Sequence, residues 1–116
     1  MTSAQSFPKA ARLLRRRDFL RVQRCGRRRS TSHFVVVSAP GEVESARIGL
    51  TVSSRVGNAV VRNRIRRLLR ELFRTRCTER QGTRDVVVIA KPGAEGLNYG
   101  DVVDELEPLL VAALRG

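Results

Sequence analysis

The segment NAVVRNRIRRLLRELFRTR, residues 58–76, decides the fold because it carries the strongest helical pattern in the chain. Asn58 is a residue type favoured at the N-cap of a helix. The apolar residues that follow recur at spacings of three and four, so they form one stripe: Val61, Ile65, Leu68, Leu69 and Leu72. We predict a helix over 59–76 that packs this stripe against a sheet.

The face opposite the stripe is strongly basic. Glu71 is the only acid between residues 59 and 76, whereas a solvated helix face usually mixes both signs. At 1.5 Å per residue the helix is about 25 Å long, enough to reach several phosphates of a nucleic acid. An ordinary solvated face is the alternative, but the one-sided charge favours a binding face. Its members are Asn63, Arg66, Arg67, Arg70 and Arg74, flanked by Arg62 and Arg64.

The segments on either side of this helix predict one more helix and a sheet. Residues 16–25 have helical spacing and are stopped by Gly26. Residues 28–39 indicate either one long strand or two short ones. Residues 47–54 alternate apolar and polar side chains as a half-buried strand does, and the apolar run 85–91 is typical of a strand buried on both faces.

The C-terminal segment predicts a third helix. It begins near Asn98 or Asp101 and ends near Leu114. Pro108 removes a backbone hydrogen bond inside it, so we expect a kink or a split near Asp104. The resulting order is α-β-β-β-α-β-α, an α+β domain with helices packed on one sheet.

The strand over 47–54 has an open polar face that could also bind. Gly49 on this face leaves room for a close backbone approach. Phe19 could stack on a base beside it, or it could belong to the core, and its spacing does not decide between the two. An ordinary solvated sheet face is equally compatible with the pattern. The polar face consists of Arg47, Gly49, Thr51, Ser53 and Arg55.

Length and charge narrow the class of protein. The 116 residues suffice for one domain with its own core. The net charge is +12, from 23 basic and 11 acidic residues, and such an excess usually meets a polyanion. No apolar run is long enough to span a membrane, and the N-terminus lacks a signal-peptide pattern, so we expect a cytoplasmic protein. Residues 1–11 are expected to form a flexible tail before a domain over 12–116.

The sequence offers no catalytic or metal site of its own. The single histidine, His33, is accompanied by two cysteines, Cys25 and Cys77, too few for a four-ligand zinc site. The acids do not cluster as a metal-dependent nuclease requires, and no spacing around His33 indicates a catalytic triad. We therefore expect a binding protein without catalytic or metal-ligating residues.

The run Gly57–Arg67 resembles the signature of the bacterial ribonuclease P protein family, whose hallmark is Arg-Asn-Arg followed by further bases on one helix. Other matches to the family lie on both sides of this run and occur in the same order as in the family: Leu13, Asp18-Phe19, Gly26, Phe34-Val35, residues 47–53 and residues 85–90. The resemblance implies an α/β sandwich with a left-handed β-α-β crossover, against the usual right-handed rule. It also implies that a catalytic RNA removes the 5′ leader of precursor tRNA, with Mg²⁺ bound mainly by that RNA.

The resemblance assigns roles to particular residues. It implies that the protein has no membrane association and no obligate protein partner, and that it contacts both the catalytic RNA and precursor tRNA. The expected RNA-binding residues are Arg55, Arg62, Asn63, Arg64, Arg66, Arg67, Arg70 and Arg74. The expected leader groove is lined by Phe19, Gln23, Val37, Thr51 and Ser53.

Three positions depart from the family pattern. Gln23 and Val37 stand where relatives often have aromatic residues, and Ser54 stands where they often have lysine. Fewer rings imply weaker stacking on leader bases, for which Arg21 and Arg24 are candidates to compensate.

Two other readings stay open from the residues alone. The first is a ribosomal or other RNA-scaffold protein, because such proteins share the basic α/β character. The second is a DNA-binding helix module, which fits less well because the arginine helix is long and no short helix-turn precedes it.

Overall fold

The computed structural model describes residues 12–41, 46–76 and 84–115. The expected N-terminal tail, residues 1–11, and Cys77 lie outside these ranges. The predicted α-β-β-β-α-β-α order is confirmed, and the segment over 28–39 forms two strands. The elements are α1 (Arg16–Cys25), β1 (Arg27–Ser30), β2 (Phe34–Pro40), β3 (Arg47–Val52), α2 (Ala59–Arg76), β4 (Arg84–Ala90) and α3 (Tyr99–Arg115), with a 3₁₀ turn (Ala94–Gly96) before α3.

The four strands form one mixed sheet in the order β1-β2-β4-β3. β1 pairs with β2 and β2 pairs with β4 in antiparallel fashion, whereas β3 and β4 run parallel. A parallel pair needs a crossover connection, and α2 provides it. α2 and α3 cover one face of the sheet, and α1 covers β2 and β4 on the other.

The crossover from β3 through α2 to β4 is left-handed. The Leu13 N–H donates a hydrogen bond to the Ile48 carbonyl at 3.0 Å, along the edge of β3 that faces away from β4. The Ile48 side chain packs beneath α2 in the main core. In an L-residue, chirality links the directions of chain, side chain and carbonyl. Seen from α2 with β3 running upwards, the outer edge is therefore on the right and β4 on the left, the reverse of the usual arrangement.

The core is divided between the two faces of the sheet. Alternate residues of β4 point to opposite sides, so Val86 and Val88 join the main core and Val87 joins a smaller core under α1. The residues of both clusters are buried, as expected on either side of a strand covered on both faces. The main core includes Phe34, Val36, Ile48, Ile65, Leu69, Leu72, Phe73, Leu106 and Leu110, and the smaller core includes Leu13, Val22, Val37 and Ala39.

Helix termini follow from local capping chemistry. The Asn58 side-chain oxygen accepts a hydrogen bond from the Val61 N–H at 3.0 Å, which confirms Asn58 as the N-cap of α2. Asn98 and Asp101 bond reciprocally to each other's backbone N–H at the start of α3. The expected split of α3 is wrong, because the helix continues through Pro108 as one element. Packing of its apolar face on the sheet outweighs one lost hydrogen bond.

A buried charge network fastens α1 to the sheet. Asp85 of β4 is fully buried and accepts hydrogen bonds from two guanidinium groups. Arg47 donates to it from Nε at 3.1 Å and from a terminal nitrogen at 2.9 Å, and Arg21 of α1 donates to the same carboxylate. Asp18, also buried, lies 3.8 Å from Arg47 and 3.9 Å from Arg21. Two acids therefore hold two arginines between helix and sheet.

A second polar cluster ties α3 to the turn between β1 and β2. The Glu105 carboxylate accepts hydrogen bonds from the Thr31 hydroxyl, from the His33 backbone N–H at 2.7 Å and from the His33 ring at 2.7 Å. Burial on its own raises the pKa of Glu105, but these hydrogen bonds outweigh it, so the pKa lies below the ordinary value. The charged form of Glu105 is therefore the one that the fold stabilises.

No helix among the described residues is long and apolar enough to cross a membrane.

Replacing Asp85 by Asn should lower the free energy of unfolding by about 3 kcal/mol, because Arg21 and Arg47 then lose their buried counter-charge. Urea denaturation measures this. Asp104→Asn, at an exposed position of α3, is the matched control and should change stability by less than about 0.5 kcal/mol. Equal effects of the two substitutions would contradict the assigned role of Asp85.

Glu105→Gln should lower the free energy of unfolding by about 1 kcal/mol at pH 7, since the charge-assisted hydrogen bonds are lost. A depressed folded pKa gives stability that is complete above the ordinary value of 4.5 and is lost as the pH falls through the folded pKa. The difference between wild type and variant should therefore shrink below pH 4.5, and a difference that grows there would contradict the sign.

Candidate nucleic-acid interface

A groove runs along the outer edge of β3, between α1 and α2. Leu50 and Val52 of β3 form its floor, Phe19 and Gln23 of α1 line one wall, and Arg66 of α2 lines the other. The Ile48 carbonyl points to the outer edge of β3. Because backbone directions repeat at every second residue of a strand, the N–H and C=O groups of Leu50 and Val52 point to the same edge. Further lining residues are Arg12, Leu13, Leu14, Arg16, Leu20, Ile48, Thr51 and Arg70.

Phe19 belongs to both the smaller core and the groove. Its ring lies directly on Gly49, where an added Cβ would come within 2.6 Å of two ring atoms. The expectation that Gly49 leaves room for an approaching ligand is wrong, because the Phe19 ring already fills that space. The ring packs against the smaller core with one side and lines the groove with the other. Because position 49 is glycine, the Phe19 ring can lie here, and it is the one aromatic ring that lines the groove among the described residues.

The polar face predicted for β3 is mostly closed. Arg47 is engaged by Asp85, and the Phe19 ring covers the next position on that face. Thr51 alone remains in the groove. Ser53 and Arg55 lie beyond the end of β3 and are exposed, and the Arg55 N–H donates to the Ser53 hydroxyl at 3.3 Å. The groove therefore follows the edge of the sheet, whereas the sequence predicted its face.

Two further groove assignments are corrected by burial and pairing. Val37 is fully buried in the smaller core, so its side chain supports α1 and does not line the groove. Arg21, expected to compensate for missing rings, is committed to Asp85 and to the Pro40 carbonyl at 2.9 Å. Gln23 does line the groove, as predicted.

Three arginines converge at one end of the groove. Arg12, Arg66 and Arg70 line the same cavity. Burial, together with the charges of Arg12 and Arg66, lowers the pKa of Arg70 below its ordinary value. Within the described ranges, neither Arg66 nor Arg70 forms a salt bridge. The repulsion among these guanidinium groups is the kind that a bound phosphate relieves.

The other polar residues of α2 serve different purposes. Arg64 donates to the carbonyls of Glu95 at 3.3 Å and Leu97 at 2.8 Å, and so ties α2 to the turn before α3. Arg74 forms a two-bond pair with Glu71, at 3.2 and 2.6 Å. The Arg62 side chain is half-buried, whereas Asn63 and Arg67 are exposed. The predicted basic face is therefore divided between structural arginines and arginines open to a ligand.

Several residues that line the groove were not predicted from the sequence. Leu14 and Leu20 are 57% and 43% exposed, although both are large and apolar. The signal for Leu20 was available, since it falls outside the stripe that Phe19 and Val22 make on α1. Arg12 precedes the predicted helix and Arg16 is its first residue, so only the fold brings the two to the groove.

Comparison with known proteins identifies the family. The family model described as Ribonuclease P matches residues 7–114. The ribonuclease P protein component of Desulforapulum autotrophicum is 44% identical over 110 residues, which cover 95% of this chain and 94% of the relative. The chain belongs to the ribonuclease P protein family. It is therefore a subunit of the ribonucleoprotein endonuclease that processes the 5′ ends of tRNA, and its partner is RNA.

Solved structures of the family share the fold. The RNase P protein of Staphylococcus aureus superposes with a TM-score of 0.82 at 33% identity, covering 90% of this chain and 96% of that one. The protein from Thermotoga maritima gives a TM-score of 0.75 at 28% identity, with 90% and 96% covered. The α+β fold predicted from the resemblance is confirmed.

Arg66→Glu should weaken RNA binding strongly and lower the slope of log K against log salt by about one unit per lost phosphate contact. Arg74→Glu, on the same helix but paired with Glu71, should change the slope less. Filter-binding titrations of the catalytic RNA over a range of salt concentrations measure both slopes. Equal slopes for the Arg66 variant and the wild type would remove Arg66 from the interface.

Proposed function

We propose that this chain binds both the catalytic RNA of ribonuclease P and the single-stranded 5′ leader of precursor tRNA. In this assembly it assists the Mg²⁺-dependent removal of the leader that leaves the mature tRNA 5′ end. We place this activity in the cytoplasm, without an obligate protein partner. The RNA cleaves, and the protein by itself is inactive.

The observation that carries the proposal is the position of Arg66. It belongs to the basic face of α2, and it also lines both parts of the groove along β3. An RNA phosphate bound by α2 and a strand lying in the groove would therefore meet at this side chain. This is the arrangement expected of a protein that holds a substrate strand beside a catalytic RNA.

The groove fits a single strand better than a duplex. Single-stranded RNA exposes base faces and base edges that a protein can contact, whereas the duplex hides them. Phe19 offers one stacking surface, Leu14 and Leu20 offer apolar contact, and the arginines at one end offer charge for the backbone. The Gln23 amide and the Thr51 hydroxyl supply hydrogen-bonding groups in the same place.

The donor set of this chain leaves the metal to the RNA. Among the described residues there is no group of three or more His, Cys, Asp or Glu that could hold a metal ion. When bound by the RNA, Mg²⁺ would activate the water that attacks the scissile phosphate. The arginines of this chain then hold phosphates in place and reduce the repulsion between the two RNAs.

Cleavage of precursor tRNA at low Mg²⁺ tests the proposal. Catalytic RNA with the protein should cleave efficiently, whereas each component alone should cleave poorly or not at all. Failure of the protein to stimulate a cognate RNA would contradict the proposal, and cleavage by the protein alone would overturn its assignment as a non-catalytic subunit.

Phe19→Leu tests the leader groove within the same assay. Leucine keeps an apolar side chain above Gly49 but removes the ring, so stability should change by less than about 1.5 kcal/mol. A stack is worth about 1–3 kcal/mol, so affinity for precursor tRNA should fall by roughly 5- to 150-fold. Affinity for mature tRNA, which has no leader, should stay unchanged. Equal losses for the two RNAs would show that Phe19 acts only in the core.

A further inference from the structure

Four arginines at the opposite edge of the sheet take no part in the groove. Arg27, Arg28 and Arg29 occupy successive positions of β1, in which every residue is exposed. Arg24 lies in the last turn of α1 and is also exposed. We call these four residues the β1 ridge. β1 is the first strand of the order β1-β2-β4-β3, so the ridge lies at the edge farthest from the groove.

The guanidinium groups of the β1 ridge have no partner within the part of the chain that the structure describes. Other arginines near this sheet behave differently. Arg21 and Arg47 bind Asp85, and Arg84 donates to the Ser38 hydroxyl at 2.6 Å. The fold thus distinguishes arginines that hold structure together from arginines that project into solvent.

The register of β1 spreads the ridge over both sides of the edge. Arg27 is opposite Ser38 and Arg29 is opposite Val36, both of which face α3. Arg28 is opposite Val37, which faces α1. Side chains two positions apart on a strand are about 7 Å apart. That separation suits successive phosphates of an RNA backbone, and an arginine fork binds a phosphate through two nitrogens.

Protection of an exposed strand edge does not account for the whole ridge. One or two charges suffice to discourage another strand from pairing there. Four arginines in six residues, none of them paired within the described part of the chain, instead add like-charge repulsion to a chain whose net charge is already +12. A bound polyanion would relieve this repulsion.

We propose that the β1 ridge binds the phosphate backbone of a second RNA segment, distinct from the leader strand in the groove. The inference rests on the proposed function only in taking RNA as the partner. Three strand spacings separate β1 from β3, about 14 Å, and α1 covers the strands between them. A strand lying in the groove would therefore have to cross over α1 to reach the ridge. The segment belongs either to the catalytic RNA or to the body of the tRNA.

The test compares three variants of the full chain. The first, R27Q/R28Q/R29Q, removes three charges from the ridge. The second, R27K/R28K/R29K, keeps the charge but removes the guanidinium forks. The third, Arg17→Gln, removes one charge from an exposed position of α1 that lines no groove, and it is compared with Arg28→Gln. Urea denaturation verifies that all remain folded, and the triple Gln variant should be as stable as the wild type or more so.

Salt-dependent affinities are then measured in two arms, for protein with catalytic RNA and for assembled holoenzyme with mature tRNA. The triple Gln variant should lose about two units of salt slope in one arm, and that arm identifies the source of the RNA. The Lys variant should keep the slope but bind more weakly, Arg28→Gln should lose about one unit, and Arg17→Gln should keep the wild-type slope. Unchanged salt slopes in both arms overturn the proposal. This holds even if the triple Gln variant self-associates because charge no longer protects the edge of β1.

Cys25, an exposed free thiol beside the ridge, gives a second readout. A tethered RNA-cleaving reagent on Cys25, with Cys77 replaced by Ser, should cut the holoenzyme RNA at one cluster of positions outside the leader. Cuts confined to the leader, or none, overturn the proposal. Because wild-type stimulation of cleavage is scored separately, failure of the ridge is distinguished from failure of the proposed function.

Discussion

The carboxylate of Asp85, buried near the start of the central strand β4, holds in place α1 and β3, which form one wall and the floor of the groove. Arg21 reaches it from α1 and Arg47 reaches it from β3, so one acid joins helix, edge strand and central strand. A carboxylate or a guanidinium group without a partner would not remain buried here. Asp85, Arg21 and Arg47 are stable in this position because each is paired with an opposite charge. With α1 fixed in this way, Phe19 lies on Gly49 and forms the wall of the groove.

The fold accommodates a high positive charge because its arginines have different structural roles. Some are neutralised by buried or half-buried acids, as Arg47 and Arg74 are. Others donate to backbone carbonyls and act as clips between elements, as Arg64 does. Others form no salt bridge within the described ranges: Arg66 and Arg70 at the end of the groove, and the arginines of the β1 ridge. In a family whose partner is RNA, we propose that binding of phosphates relieves the repulsion among these last arginines.

Much of this architecture could be predicted from the sequence because its signals are local. The stripe on α2 and the Asn58 cap depend on neighbours within a few residues, and both predictions were confirmed. The strand β3 was also predicted, but its expected open face is mostly closed. The site was harder because it depends on contacts distant in sequence. Arg47 was predicted to face solvent, since nothing local reveals Asp85, which lies 38 positions further along the chain.

The other wrong predictions concern which residues are buried. The alternation of β3 placed Gly49 on an open face, and the resemblance placed Val37 in the groove. α1 covers that face of the sheet, and Phe19 fills the space above Gly49. Leu14 and Leu20 were not assigned to the groove from the sequence, and both are exposed although they are large and apolar. The left-handed crossover came only from the resemblance. General chain-topology rules predict a right-handed crossover, whereas the direction of the Ile48 carbonyl supports the left-handed one.

The central claim is that the leader strand lies along the edge of β3 between α1 and α2. The most direct measurement is photo-crosslinking in the assembled holoenzyme, with one 4-thiouridine placed at successive leader positions and the modified peptides identified by mass spectrometry. The account predicts crosslinks to groove residues, Phe19, Gln23, Thr51 and Arg66 among them, that move along the groove as the probe moves along the leader. Crosslinks concentrated on α3, which packs on β2 and β4 away from the groove, would contradict it.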